Sequence, residues 1–357
     1  MKNYMERAKT RDYSKSWQLP GTFPELLQKR KPQLGYPDMP ISAAENYRRC
    51  VEGTGPLWMP QYQWDGCVIW PDAIEEHPVP EEDGRDWWGT EWKNTPNGMA
   101  VKPGTRVIQD FADWEKELEW PNLDGIDFAS DGAKLQKQLD PERALVYEST
   151  EGLFERLHEL IPFDEALLMF YEEPDALKRF FDRMADYKIE TIEIVCRNYG
   201  RVDGVLYHDD WGTQRSGFFS NDMFAEQLMP QTKRIVDRIK SMGLFAELHS
   251  CGKNMQYVPH MIEMGFGMWA PQKDVNDFDE LYRLYNDKMS FAFAVPFTPD
   301  MDENAVRACA RGFVDRYGEN GRVMAWIKRG SCAPELTAAA RDELYLYSRE
   351  YYAKKRQ

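Results

Sequence analysis

A TIM-like (β/α)8 barrel with an N-terminal extension is the fold this sequence predicts, on three observations. Beyond residue 170, long amphipathic helical patterns alternate with short apolar runs, the pattern of βα units. The apolar runs are short and continuous, as strands buried on both faces are. Polar clusters directly follow five of the runs, where barrel enzymes carry their chemistry.

In chain order, residues 1–45 are rich in Lys, Arg and Pro without a sustained period and read as an arm wrapped on the body; residues 46–357 read as the barrel domain. Gly53 to Trp120 is dense in Trp, Pro and Gly and reads as loops and short strands. A helix opens at Pro174, a favourable first-turn position, and stops at Gly200. A second follows Pro230 and stops at Gly243, and further helical patterns cover 254–264, 277–285, 303–317 and 334–352. The intervening runs 204–207, 244–248, 266–269, 291–295 and 322–327 read as parallel strands. An open doubly wound sheet is the alternative, but no Gly-rich strand-to-helix turn of the dinucleotide or P-loop kind supports it.

Composition narrows the function class. With 42% hydrophobic and 29% charged residues the chain is globular, and its longest apolar runs fall far short of the ~20 residues a bilayer span needs. The N-terminus has basic residues without an apolar signal core, so a cytoplasmic location without membrane association is expected. A formal net charge of -15 would repel a phosphate backbone, so no nucleic-acid partner is expected. The six scattered cysteines argue for metal binding or core packing rather than a disulfide framework.

The rim clusters are His208-Asp209-Asp210-Trp211-Gly212, His249-Ser250-Cys251-Gly252, Pro271-Gln272, Thr298-Pro299-Asp300 and Gly330-Ser331-Cys332. In His249-x-Cys251 a two-residue spacing on extended chain puts both side chains on one side, able to grip one ion, and thiolate plus imidazole is zinc chemistry. The other reading of the pair is a small buried hydrophobe beside a hydrogen-bonded core histidine. Cys332 follows another predicted strand and completes a three-ligand set of His249, Cys251 and Cys332, with one position open for substrate. Cys196 and Cys309 lie in amphipathic helices and read as core residues.

Two carboxylates are candidate catalytic groups. Asp209 and Asp210 could orient a substrate, a ligand histidine or a water, but as neighbours on a strand end they face opposite ways and one of them can cap the following segment; Asp210 is the candidate. Glu247 shares parity with His249 and Cys251, as a partner behind the ligands, an occasional fourth ligand, or a paired structural carboxylate.

Three stretches carry a family resemblance: D-G-V-L-Y-H-D-D-W-G-T-Q from Asp203, M-P-Q-T-K-R-I-V-D-R-I-K-S-M-G from Met229, and L-H-S-C-G-K-N-M-Q-Y-V-P-H-M-I-E-M-G-F from Leu248. The chain resembles the uroporphyrinogen decarboxylase superfamily, and within it the cobalamin-dependent methyltransferase branch. The resemblance runs from about Ser42 onward in order and spacing; its specific part is the HSCG segment together with the late Gly330-Ser331-Cys332. It implies a TIM-like barrel and, in the methyltransferases, zinc held by H-x-C plus a distant later cysteine, positions matched by His249, Cys251 and Cys332. The decarboxylase branch carries an N-terminal segment whose arginines hold porphyrin carboxylates. Here the nearest run, Pro56 to Gln63, has no arginine, which counts against decarboxylation of a tetra-acid.

The resemblance implies methyl transfer in one of two directions. In one, zinc activates the heteroatom of a small methylated substrate and the methyl group passes to the Co(I) of a corrinoid (cobalamin) carried by a partner protein. In the other, the metal lowers the pKa of a bound thiol, which takes a methyl group from methylcobalamin. Tryptophans that could wall an apolar pocket favour the first direction, with a methoxylated aromatic as substrate and O-demethylation as the reaction; packing of the arm on the barrel is their other reading. Trp58, Trp88, Tyr207, Trp211 and Gln272 are the candidate substrate-binding residues. A cationic methylamine is a second substrate class, and a decarboxylase-like lyase or a non-catalytic binding barrel are the remaining alternatives. No corrinoid-binding D-x-H-x-x-G segment is present, so the corrinoid is expected on a separate protein.

Overall fold

The computed structural model describes residues 39–74, 84–95, 98–328 and 330–356. Residues 1–38, most of the segment read as an arm, lie outside the described residues. Helix α1 (Ala43–Glu52) starts inside that segment, capped by the Ser42 hydroxyl, which accepts from Glu45 N–H. It closes the bottom of the barrel. Its Tyr47, Cys50 and Val51 pack against Ala144, Val146, Leu206, Phe245, Met268, Ala292 and Met324, the inward side chains of six strands.

The chain then reaches Pro60 and Gln61, turns through α2 (Tyr62–Asp65) and enters β1 (Gly66–Ile69). A small antiparallel sheet follows, made of β2 (Gly84–Arg85), β3 (Glu91–Thr95) and β4 (Gly98–Val101). After α3 (Phe128–Gln136) the barrel resumes with β5 (Ala144–Ser149), then α4 (Leu153–Leu160), α5 (Phe163–Glu172) and α6 (Pro174–Asn198). The remaining units are β6 (Gly204–His208), α7 (Met229–Ser241), β7 (Phe245–His249), α8 (Val258–Met264), β8 (Met268–Trp269), α9 (Phe278–Tyr285), β9 (Ser290–Ala294), α10 (Glu303–Tyr317), β10 (Val323–Trp326) and α11 (Thr337–Lys355).

The main sheet is parallel, in the order β1-β5-β6-β7-β8-β9-β10. That order and the covering helices make a TIM-like α/β barrel, as the alternation of apolar runs and helices predicts. Each predicted run beyond residue 200 carries a strand, the third one only two residues long. At the β10 edge a single parallel bridge, Gln61 to Ala325, sets the segment before β1 in the eighth position, and Ala325 N–H donates to Pro60 O at 2.8 Å. Pro60 has no N–H to give, which keeps this position from extending into a full ladder.

Register decides which side chains look into the barrel. β5 to β7 align Glu148 with Leu206, Leu206 with Glu247, and His208 with His249. The inward file of β6 is therefore Gly204, Leu206 and His208, and that of β7 is Phe245, Glu247 and His249. Gly204 is required by its neighbour: a Cβ there would fall 2.0 Å from the Phe245 ring, which also packs at a tilt against Tyr47. Gly204→Ala should therefore destabilise the barrel by about 1–3 kcal/mol, seen as a lower denaturant midpoint. An unchanged midpoint would contradict this packing.

Candidate functional site at the barrel mouth

The site is built on the ends of β6 and β7. Their shared register brings the His208 and His249 rings face to face, centroids 4.2 Å apart and 9° from parallel. Two residues beyond each histidine, Asp210 and Cys251 lie on the same inward side. His249 Nε2 is 3.3 Å from Cys251 Sγ and 3.9 Å from Asp210 Oδ1. The side chains of His249 and Asp210 keep 26% and 31% of their exposure, so the cluster is open to an incoming molecule.

Each group is held by its own support. Asp210 Oδ1 accepts the Cys251 N–H at 2.6 Å. Glu155, on the first turn of α4, lies 2.8 Å from His208 Nδ1. Asp209 faces outward, as parity predicts, and accepts the N–H groups of Phe154 and Glu155 at 3.1 and 2.9 Å, capping α4. One aspartate thus fixes the helix that carries Glu155, while the next enters the site.

The loop after His249 is equally constrained. Ser250 Oγ accepts from Trp211 N–H and from the Asn254 amide, which also donates to Cys251 O at 2.6 Å. Gly252 has φ +94°, and a Cβ there would meet Gly212 O at 2.2 Å, so only glycine fits after the cysteine. Gln272 Oε1 accepts the Gly252 N–H at 3.2 Å. This sequence-predicted substrate residue therefore holds the loop that carries Cys251.

Acidic side chains gather here. Burial raises Glu148 and Glu155 above the usual carboxylate range. Burial opposes the charge on His208, but Glu155, Asp210 and Glu148 outweigh it and raise the imidazole well above its ordinary value. Burial and the neighbouring His208 charge lower His249 to about 4, leaving a neutral imidazole. Burial pushes the Cys251 thiol up to about 12, helped by Asp210 and Glu155 and opposed by Lys328. A thiol, a neutral imidazole and carboxylates around one point fit a divalent cation, the partner that would ionise the thiol and offset the acids.

Other sequence-predicted residues stand elsewhere. Cys332 is buried in the loop beyond β10, with Sγ 3.8 Å from Thr337 Oγ1. Among the described residues, the metal-capable group whose donor atoms all lie within 4.8 Å of one another is His208, Asp210 and His249; neither cysteine is part of it, and Cys251 adjoins it through His249. Glu247 lies one layer down the barrel, hydrogen-bonded to Tyr47, and burial pushes its carboxyl up to about 8. It is a buried, paired carboxylate beneath the site.

The expected aromatic wall is corrected by the structure. Trp58 is fully buried, donates to Asp65 Oδ2 at 3.0 Å and meets Tyr345 edge-on at 5.4 Å. Trp88 packs against Trp120 and Tyr187, with the Arg156 guanidinium 5.0 Å from its ring. Trp211 is enclosed by Phe224 and Tyr257. Tyr207 faces outward and accepts the Leu153 N–H at 2.9 Å. These four are core residues because they lie on outward files of the strands or in the packing outside the barrel. An aromatic pair that does face inward, on the β10 side, is Trp326 and Tyr62, 5.8 Å apart and edge-on.

Sequence reasoning placed His208 on the rim without giving it a role, and passed over Glu155 and Glu148. The signal for His208 was its parity with Asp210 in the same tetrad. Glu155 had none, because only the tertiary fold brings α4 beside β6.

The uroporphyrinogen decarboxylase (URO-D) family model matches residues 105–291, just over half the chain and including both strand ends of the site. The chain belongs to the uroporphyrinogen decarboxylase family. Among solved structures, a methyltransferase from Methanosarcina mazei is similar over 88% of this chain and 99% of its own, with TM-score 0.58 and 12% identity. Xylanase B from Clostridium stercorarium F9 is similar over 80% of this chain and 88% of its own, with TM-score 0.37 and 10% identity. The GH18 chitinase ChiB of Flavobacterium johnsoniae is similar over 64% of this chain and 81% of its own, with TM-score 0.34 and 8% identity. At such identities the first likeness is one of fold, and the other two carry no functional weight. No curated protein sequence matches. Among the described residues no helix is long and apolar enough to cross a membrane.

Asp209→Ala should cost about 1–3 kcal/mol, because it leaves the buried N–H groups of α4 without their acceptor. Equal thermal midpoints for variant and parent would show that the cap does not hold α4 in place.

Proposed function

We propose that this chain is a cytoplasmic, zinc-dependent methyltransferase of a corrinoid system. It moves a methyl group from a small methylated substrate, a methoxylated aromatic by preference, to the Co(I) of a corrinoid carried by a partner protein. The observation that carries this reading is the convergence of the H-x-C pair with His208 and Asp210 at an open barrel mouth. Family membership and the fold shared with a methyltransferase support it.

His249 and Cys251 are the members of the expected ligand set that stand together. When bound there, zinc supplies Lewis acidity to the heteroatom that the methyl group leaves. Asp210 holds the Cys251 backbone in place, and Glu155 orients His208 beside the ligands. Trp326 and Tyr62 offer an aromatic edge and face at the inward end of β10, where an aryl group can pack. The partner docks over the rim, where His249 and Asp210 are partly exposed; among the described residues α1 packs across the other end.

Transfer to a thiol from methylcobalamin is the second direction the same residues serve. Decarboxylation of a porphyrin tetra-acid is disfavoured by the lack of arginine from Pro56 to Gln63.

The test mixes the protein with a Co(I) corrinoid protein and methoxylated aromatics, methylamines and methyl thioethers, following methyl-Co(III) by absorbance. Methyl-Co(III) formed with an aryl ether and abolished by Cys251→Ser is expected. Silence with every donor, together with thiol methylation from methyl-Co(III), would reverse the direction; silence in both assays would refute methyl transfer.

A further inference from the structure

We propose that the ion of this site is held by His208, Asp210 and His249, with Cys251 as its one sulfur ligand, and that Cys332 is not a ligand. The inference rests on the zinc reading above and changes its ligand set.

Three observations carry it. The donor atoms of His208, Asp210 and His249 all lie within 4.8 Å of one another, the spacing that ligands of one ion adopt, and Cys251 Sγ is 3.3 Å from His249 Nε2. His208 already has the support typical of a metal histidine: the Glu155 carboxylate, 2.8 Å away, accepts from Nδ1–H, so Nε2 is the nitrogen that an ion would take in place of a proton. Asp210 gives one oxygen to the Cys251 N–H, which fixes the carboxylate, while its remaining lone pairs stay available.

Position reinforces the same assignment. His208 and His249 share a rung on adjacent strands, and Asp210 and Cys251 each follow two residues later. All four donors therefore arise from two neighbouring, hydrogen-bonded strand ends. Cys332 comes from a loop beyond β10, and its thiol is engaged with Thr337 on α11. The set contains nitrogen, oxygen and one sulfur, a harder environment than one histidine with two thiolates, and it accepts Zn, Co or Fe in the divalent state.

The test is zinc-edge X-ray absorption on the full-length protein as purified, with zinc content measured for the parent and for His208→Ala, Asp210→Asn and Cys332→Ser. About one zinc per chain is expected, with nitrogen and oxygen scatterers and a single sulfur near 2.3 Å. His208→Ala and Asp210→Asn should each weaken zinc retention against a chelator at least tenfold, and Cys332→Ser should leave it unchanged. Two sulfur scatterers, with zinc lost in Cys332→Ser, would overturn the inference while leaving the zinc reading intact. Parent protein without zinc after growth in zinc-replete medium would refute both. The absorption spectrum of the parent decides the ligand set even if a variant fails to fold.

Discussion

The pairing register of β6 with β7 is the constraint on which the rest of the site depends. It sets His208 opposite His249 and, two residues further, brings Asp210 and Cys251 to one inward point. A slip of one residue would turn either histidine toward the helices and put Tyr207 or Leu248 in its place. The barrel protects this register from below: α1 packs on the inward residues, and the Phe245 ring occupies the space a side chain at position 204 would need.

Around that point the chain gathers carboxyl groups from three elements. Glu148, Glu155 and Asp210 act on His208, and Asp210 and Glu155 act on Cys251, with Lys328 opposing. Such a cluster is costly in a dry interior unless a cation joins it. The division of labour between Asp209 and Asp210 follows from strand parity alone: one carboxylate caps a helix, and its neighbour enters the site. The loop after His249 adds rigidity through Ser250, Asn254, Gln272 and Gly252, so the thiol is positioned by backbone contacts as well as by its own strand.

Much of this was legible in the sequence because its signals are local. The helices from Pro174 and Met229 begin near prolines, and the apolar runs are short and bounded, so their positions follow from periodicity. His249 and Cys251 were legible because spacing on one strand decides which way side chains point. The tryptophans were misleading for the opposite reason: Trp58 and Trp88 look like pocket residues by composition, but Asp65, Tyr345, Tyr187 and Arg156, all brought in by the fold, make them core. The contacts of Glu155 with His208 and of Cys332 with Thr337 depend on how separate elements meet, which no spacing along the chain encodes.

A group of nitrogen, oxygen and sulfur donors at the mouth and a floor packed by α1 place the chain's chemistry-bearing side chains at the rim. The most direct measurement is a crystal structure with anomalous data collected on both sides of the zinc edge. A zinc peak within about 2.5 Å of His249 Nε2, with at least one face open to solvent, is the expected result. The residues ordered as described, with the peak absent or lying elsewhere on the molecule, would contradict it.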